Sequence, residues 1–417
     1  MKLLHVIGSM NPQTGGPCQM IRNFAPGFIG LGHTLEVVCL DDPGSKHLSG
    51  EPFRIHAVGQ GRGSWNYHPA LIPWLNEHLP EYDAVILNGL WQFQGYALWQ
   101  ASKSPKAPPY YIFPHGMLDP WFQKISVRPV KTLRNWIFWK TIQHRIVHQA
   151  AGLLFTCEEE QRLARQPFRP YHPAKEAVVG LGIPGPPKFQ MHMTAAFDEK
   201  CPGMNGGKYF LFLGRIHPKK GVDLLIKAYS ALHRSAATNG QASIPRLVIA
   251  GPDLEAPYGQ EMQKLTRQTC PADSVLWPGM LTGDAKWGAL YGAEAFVLMS
   301  HQENFGIAVV EALACGKPVL ISNQINIWRE IEEDRAGLVR DDTVQGAEEL
   351  FRQWKSLSLE DRATMTAATK SCYESRFGVA FANRRLLAAI GEASTRTRVG
   401  PATHAETQFG HHPLRLQ

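Results

Sequence analysis

Short runs of Leu, Val and Ile recur along this chain, each closed by Gly or Pro and followed by a helical stretch. In the first half the runs are Leu3–Ile7, Leu35–Leu40, Ala84–Leu87, Tyr110–Phe113 and Gly152–Phe155. The second half repeats the pattern at Tyr209–Leu213, Arg246–Ala250, Ser274–Trp277, Ala295–Met299 and Pro318–Ile321. Runs apolar on both faces belong to strands covered on both faces, and alternation with helices makes such strands parallel. The series breaks between Pro184 and Gly207, where Pro184, Gly185, Pro186, Pro187, Pro202, Gly203, Gly206 and Gly207 crowd together. Breakers at that density mark a linker. The chain therefore parses into an α/β domain over 1–185, a linker over 186–206, a second α/β domain over 207–392 and a tail over 393–417. Ligands of open parallel sheets bind beyond the carboxyl ends of the strands, so a ligand shared by two such domains belongs in the cleft between them.

Composition narrows the function classes. Hydrophobic residues at 44% and charged residues at 19% exclude a disordered chain. The 7 cysteines are scattered with no pair at Cys-x-x-Cys spacing, which argues against a disulfide framework or a structural zinc and for reduced thiols. A net charge of +7 invites a nucleic-acid reading. The excess is uneven, however, with 5 basic and 7 acidic residues in 1–100 against 14 and 7 in 101–200, and no nucleic-acid motif is present. No apolar run approaches the ~20 residues that span a bilayer. Met1 to Met10 reads as a first core strand rather than a signal peptide, so a cytoplasmic protein is expected.

The segment richest in chemistry is Ser300-His301-Gln302-Glu303-Asn304-Phe305-Gly306-Ile307, running on through Glu311 to Gly316-Lys317-Pro318. A strand ends near Ser300, a loop carries Glu303, and a helix starts near Phe305. Two carboxylates then flank a helix amino terminus whose free amides invite a phosphate. On one continuous helix, eight positions would put Glu303 and Glu311 about 80° apart. With Glu303 in the loop, both can converge on the hydroxyls of one ligand. A second segment, Leu213-Gly214-Arg215-Ile216-His217-Pro218-Lys219-Lys220-Gly221, follows the first strand of the second domain. Arg215 and Lys220 can reach a shared point there, a fork of donors and a point charge suited to a diphosphate. Two cations, two carboxylates and a helix terminus together describe a nucleotide-sugar pocket.

On these residues the chain, over roughly 1–390, resembles the glycosyltransferases of the GT-B fold, specifically the retaining family 4 with its Glu, seven residues, Glu signature. The resemblance implies two Rossmann-like α/β/α domains facing across a deep cleft, with the final helix of the second domain able to return to the first. It implies that Glu311 binds the donor ribose and Glu303 the transferred sugar. Arg215 and Lys220 would hold the diphosphate, with the amides of Asn304, Phe305, Gly306 and Ile307 on the distal phosphate. Gly251, Pro278 and Gly279 fall where the family's loops flank the donor. In the first domain Gly15 and Gly16 permit close backbone approach on the acceptor and donor sides respectively. His115 falls at the acceptor–donor junction, with Asn88 on a neighbouring acceptor-facing loop. The resemblance makes His115, Arg215, Lys220 and Glu303 the expected catalytic residues. No cofactor or metal is expected, since no Asp-x-Asp motif stands where a metal-bound diphosphate would need one.

The partners expected are a nucleotide sugar and a glycan or lipid-linked glycan acceptor, in a metal-independent retaining transfer serving cell-surface polysaccharide synthesis. Residues 121–156 suggest one more partner. Lys124, Arg128, Lys131, Arg134, Lys140 and Arg145 occur there without an acidic residue, among Trp121, Phe122, Trp136, Phe138 and Trp139. That composition suits an anionic membrane surface, which would place the enzyme peripherally at the cytoplasmic face of the inner membrane. It equally suits aromatics packed on the sheet with cations facing water. Three other functions fit less well. A nicotinamide dehydrogenase would need Gly-x-Gly-x-x-Gly, a spacing that Gly8 to Gly16 lacks. A nucleic-acid-binding protein would need a motif. An epimerase of the same fold, working without an acceptor, is the closest alternative.

Overall fold

A computed structural model describes residues 1–123, 129–204, 206–238 and 244–398. The first domain is built on seven strands: β1 (Lys2–Ile7), β2 (Thr34–Cys39), β3 (Arg54–Ala57), β4 (Ala84–Asn88), β5 (Tyr110–Phe113), β6 (Gly152–Phe155) and β7 (Glu176–Val178). They lie in the order β3-β2-β1-β4-β5-β6-β7, every pairing parallel. The second is built on β8 (Tyr209–Leu213), β9 (Arg246–Ala250), β10 (Val275–Gly279), β11 (Ala295–Leu298), β12 (Val319–Ser322) and β13 (Gly337–Arg340), in the parallel order β10-β9-β8-β11-β12-β13. Both sheets reverse direction once, between β1 and β4 and between β8 and β11. Such a reversal opens a crevice at the carboxyl ends of the strands. Two Rossmann-like α/β domains are thus present, and their switch points define where a ligand can enter.

The strands are apolar on both faces because both are covered. In β1, Leu4 and Val6 join one buried cluster while Leu3 and Ile7 join the other, following the two-residue alternation of a pleated strand. The second of these clusters continues into the second domain. Helix Val379–Arg398 carries that continuity, packing against helix Gly16–Gly30 of the first domain. There Asn383 Nδ2 donates to Phe24 O at 3.3 Å, and Tyr111 Oη donates to Ile390 O at 3.3 Å.

Three differences from the sequence reading have physical causes. Strands β3, β7 and β13 were not expected, and all three are edges of their sheets, where one side faces water and the apolar run is diluted by Arg54, His56, Glu176 and Arg340. The stretch 186–206, expected as a linker, contains helix Met191–Lys200, which buries Met193 and Phe197 against helix Gly283–Gly292. Apolar residues four apart suffice to dock one short helix between flanking Pro and Gly residues. Helix Val379–Arg398 runs past Ala393, where the tail was expected to begin; the rest of that tail, 399–417, lies outside the described residues.

His5 lies in β1 at 1% exposure. Burial pulls its pKa down to about 3, only partly opposed by its hydrogen bond with Asn88. Between that value and an unfolded value near 6.5 the unfolded chain binds a proton that the folded chain refuses, so stability falls as pH drops through this window. Going from pH 7 to pH 5 is expected to cost about 2 kcal/mol through His5. Chemical denaturation of wild type and His5→Leu at both pH values checks this: the variant should lose less on acidification by about that amount, and equal losses would contradict it.

Candidate functional site

In the second domain the turn after β8 runs from Gly214 to helix Val222–Thr238. Gly221 closes it at φ 64°, and a Cβ there would come 2.0 Å from the Met299 carbonyl oxygen, so the β8 and β11 loops touch backbone to backbone only because this residue is glycine. His301 N donates to Lys219 O at 2.8 Å across the same contact. Lys220, at the end of the turn, ion-pairs with Glu303, each side chain about a fifth exposed (18% and 22%). Arg215 is exposed and makes no hydrogen bond or ion pair among the described residues.

Glu303 lies in the loop after β11, not in the helix that follows, Ile307–Ala314. Its amide donates to Gln324 O at 2.9 Å and its carbonyl accepts from Asn326 N at 3.0 Å, fixing its backbone from both sides. The amides of Asn304, Phe305, Gly306 and Ile307 find no acceptor among the described residues. Glu311 stands on that helix and accepts from Lys286 Nζ at 2.8 Å. The two carboxylates are therefore neutralised by two different lysines. At the neighbouring strand ends, Gly251 N donates to Gly279 O at 2.8 Å, next to Pro278, and Gly214 N donates to Ala250 O at 3.0 Å. The loops after β8, β9, β10 and β11 thus form one continuous edge.

The first domain contributes His115, Asn88, Gly15 and Gly16. Asn88, the last residue of β4, is buried; its Nδ2 donates to His5 Nδ1 at 3.1 Å and its Oδ1 accepts from His115 Nε2 at 3.2 Å. His115 holds a left-handed backbone (φ 53°), and its ring stacks on Phe113 with centroids 4.8 Å apart. Burial, and then the neighbouring His5, bring its pKa down to about 3. The imidazole is neutral at physiological pH, protonated on Nε2, with the Nδ1 lone pair left as an acceptor. Gly15 and Gly16 are exposed at the start of helix Gly16–Gly30, with open space where a side chain would be.

The two domains meet at these loops. Gly116, at φ 75°, abuts Asn304, and a Cβ there would come 2.6 Å from the Asn304 amide. Asn304 Nδ2 donates to Thr156 Oγ1 at 3.4 Å, and Gln302 Nε2 donates to Asp119 Oδ2 at 2.8 Å. Lys219 lies over the Trp121 and Phe122 rings, at 5.3 and 5.7 Å, and its burial pulls its pKa down. Arg329 Nε donates to Glu159 at 3.2 Å. His115 and Glu303 are thereby brought to one junction from opposite domains.

Several of these residues escape a reading by motif. Lys286, the partner of Glu311, sits in a helix of unremarkable sequence. Glu160 is a buried carboxylate whose pKa is raised by burial; it accepts from Gly116 N at 2.5 Å, Thr156 N at 2.7 Å and Thr156 Oγ1 at 2.6 Å. It ties the His115 loop to the end of β6. Its one signal in the sequence is its place in the first turn of the helix that follows a strand, Glu158–Ala164. A cavity of about 1360 Å³ extends from His115 and Asn88 across the first domain to Asp41 and His47.

The aromatic, basic segment divides. Trp139 is fully buried and stacked on Phe168 at 4.7 Å, and Phe138 lines the cavity. Val130, Leu133, Trp136 and Ile137 of helix Pro129–Phe138 are instead exposed, beside exposed Arg134, Lys140 and Arg145. Lys124 and Arg128 lie outside the described residues. No helix among the described residues is long and apolar enough to cross a membrane.

Comparison with known proteins agrees with this geometry. Residues 15–182 match the family model described as Glycosyl transferase 4-like domain, and residues 197–371 match Glycosyl transferases group 1. The chain is 24% identical over 411 residues to GDP-mannose:cellobiosyl-diphosphopolyprenol alpha-mannosyltransferase of Xanthomonas campestris, covering 96% of this chain and 100% of that one. It is 28% identical over 141 residues to D-inositol 3-phosphate glycosyltransferase of Acidothermus cellulolyticus, but spans only 30% of that relative's length and 32% of its own. In fold it is similar to HepE of Anabaena, solved with UDP and glucose, at TM-score 0.70 and 17% identity, over 94% of this chain and 100% of that one. With both domains matched and their carboxyl edges meeting at one junction, the chain belongs to the group 1 glycosyltransferases of the GT-B fold, and it is an enzyme of that class.

Proposed function

We propose that this enzyme moves a sugar from a nucleotide-diphosphate sugar to a lipid-linked glycan, with retention of anomeric configuration and without a metal ion, in the synthesis of a cell-surface polysaccharide. The observation that carries the reading is the cavity that opens from His115, on the far side of the junction from Glu303. An epimerase acting on donor alone has no use for such a space; a transferase needs it for the acceptor. The relative from Xanthomonas campestris is named for a diphosphopolyprenol-linked acceptor, which supports this choice.

In this reading the diphosphate lies between Arg215, Lys220 and the free amides of residues 304–307. Lys220 leaves its pairing with Glu303 for the phosphate, and Glu303 then accepts from the hydroxyls of the sugar. Glu311, held by Lys286, receives the ribose hydroxyls, and Gly251, Pro278 and Gly279 flank the rest of the nucleotide. As the bond to the leaving diphosphate breaks, negative charge grows beside two fixed cations, which stabilise it where water would have to reorganise. Gly15 and Gly16 leave the backbone open to the acceptor and donor from the other side. Neutral His115, held by Asn88, accepts a hydrogen bond at Nδ1 from a sugar hydroxyl at the junction. The acceptor hydroxyl attacks from the face the diphosphate leaves, and a phosphate oxygen takes its proton.

Losing one contact that strengthens in the transition state typically costs ~3 kcal/mol, about two orders of magnitude in rate. Lys220→Ala and Glu303→Ala are therefore expected to lower kcat/KM about a hundredfold or more with the thermal midpoint unchanged. Proton NMR of the wild-type product should show the anomeric configuration of the donor. Wild-type rates in both variants, or an inverted product, would contradict the assignment. Chelation tests the metal: activity in EDTA should stay within a few-fold of the untreated rate, whereas complete loss restored by magnesium or manganese would require a cation on the diphosphate.

Val130, Leu133, Trp136 and Ile137, with Arg134, Lys140 and Arg145 around them, form the surface we assign to the cytoplasmic face of the inner membrane. Arg134 and Phe138 also line the cavity, so a lipid-linked acceptor held by this surface would lie at the cavity mouth. Each cation near an anionic leaflet contributes ~1 kcal/mol, screened beyond ~10 Å at 0.1 M salt. Co-sedimentation with anionic vesicles should rise with anionic lipid and fall with salt, and Leu133→Ser/Trp136→Ser should abolish it. Equal recovery in the supernatant with neutral and anionic vesicles at low salt would leave a freely diffusing acceptor.

A further inference from the structure

Three side-chain amides converge beyond the carboxyl end of β1. A Cβ on Gly8 would lie 2.9 Å from Gln92 Oε1, 3.1 Å from Asn66 Nδ2 and 3.3 Å from Gln94 Nε2, so the three amide ends crowd over this glycine. Gln94 Nε2 donates to Gln92 Oε1 at 3.0 Å, and Asn66 Nδ2 donates to Gly8 O at 3.2 Å. Gln94 is only 2% exposed, yet its Oε1 has no donor partner among the described residues. Trp65, whose carbonyl accepts from Phe93 N at 2.8 Å, likewise leaves its Nε1 donor without a partner. All four residues line the cavity that begins at His115, and Trp91 lines it too.

Buried polar atoms without partners are uncommon and call for an explanation. Here one orphan is an acceptor and the other a donor, on the wall of the same cavity. A ligand that satisfies both must itself donate and accept, as hydroxyl groups do. The amides carry no charge, and Asp41, elsewhere on the cavity wall, is already engaged by Ser9 Oγ at 2.6 Å and Met10 N at 2.7 Å. The amide cluster itself thus offers hydrogen bonds rather than charge. Trp65 and Trp91, each packed among other aromatic rings, add apolar residues to this wall, which suits the C–H groups of a sugar ring. At about 1360 Å³ the cavity exceeds the ~300–1,000 Å³ of ordinary small-ligand sites, so it has room for more than the one unit that offers its hydroxyl at the junction.

We infer that Asn66, Gln92, Gln94 and Trp65 form a subsite for an uncharged pyranose of the acceptor, separate from the unit that reacts beside His115. The inference rests on the proposed acceptor side of the reaction and makes the acceptor an oligosaccharide with at least one neutral unit beyond the reacting one. Saturation-transfer NMR on the full chain tests it with cellobiose, maltose and cellotriose as neutral probes and a galacturonate disaccharide as the charged one. Transfer should reach the neutral probes and not the charged one. Gln94→Leu and Trp65→Phe should each weaken that binding about tenfold, the effect of leaving one hydrogen bond unmade. Trp65→Phe keeps a ring against Phe93, so its thermal midpoint and its binding of a nucleotide diphosphate should stay at wild-type values. Unchanged saccharide affinity in both variants would overturn the subsite. So would absence of transfer to any neutral probe while nucleotide diphosphate still binds, which would leave the donor reading standing. If neither nucleotide diphosphate nor saccharide binds, the donor reading falls as well and takes the subsite with it.

Discussion

Glu303 stands between two residues that both reach into the other domain. Gln302 donates to Asp119 and Asn304 donates to Thr156, while the backbone of Glu303 is bonded to Gln324 and Asn326 of its own domain. A backbone held on both sides in this way cannot move without opening the junction, while the Glu303 carboxylate, paired only with Lys220 among the described residues, can still turn. The arrangement depends on Gly116 and on Glu160. The first lets Asn304 come within contact distance of the backbone, and the second fixes the Gly116 amide to the end of β6. The geometry of the candidate site is therefore a property of the interface rather than of either sheet alone.

Charge at the site is balanced in a way that suits exchange. Lys220 with Glu303 and Lys286 with Glu311 are partly exposed pairs, and such pairs contribute little to stability. Such pairs are cheap to open, and under the proposed function an arriving diphosphate would take Lys220 and leave Glu303 for the hydroxyls of the sugar. Arg215, without a partner among the described residues, is already available. On the other side of the junction His115 is uncharged, and the cavity beyond it is lined by the amides of Asn66, Gln92 and Gln94 and by Trp65 and Trp91, with Asp41, Asp42, His47 and Arg134 also on its wall.

How far the sequence could be read follows from the range of the interactions. Ten strands were legible because each is an apolar run bounded by Gly or Pro, and the placement of Glu303, Glu311, Arg215 and Lys220 beyond strand ends was legible because local strand–loop–helix spacing sets it. Of the four edge strands, β10 kept Val275, Leu276 and Trp277 and was legible, whereas β3, β7 and β13 are short and are interrupted by Arg54, His56, Glu176 and Arg340. Helix Met191–Lys200 was hidden among breakers because only Met193 and Phe197 anchor it. Lys286, Glu160 and Asp119 were not legible because their partners, Glu311, Gly116 and Gln302, come from other elements of the fold. Of the aromatic segment, the sequence could tell that Trp residues and cations occur together. It could not tell that Trp139 turns inward while Trp136 turns out, which depends on the start and phase of one helix.

The central claim is that the diphosphate of a nucleotide sugar takes Lys220 away from Glu303. A crystal structure of the protein with a nucleotide-diphosphate sugar tests it most directly. The account predicts phosphate density between Arg215, Lys220 and the amides of residues 304–307, with Glu303 facing the sugar and Glu311 the ribose. A bound nucleotide lying elsewhere, with the Lys220–Glu303 pair intact, would contradict it.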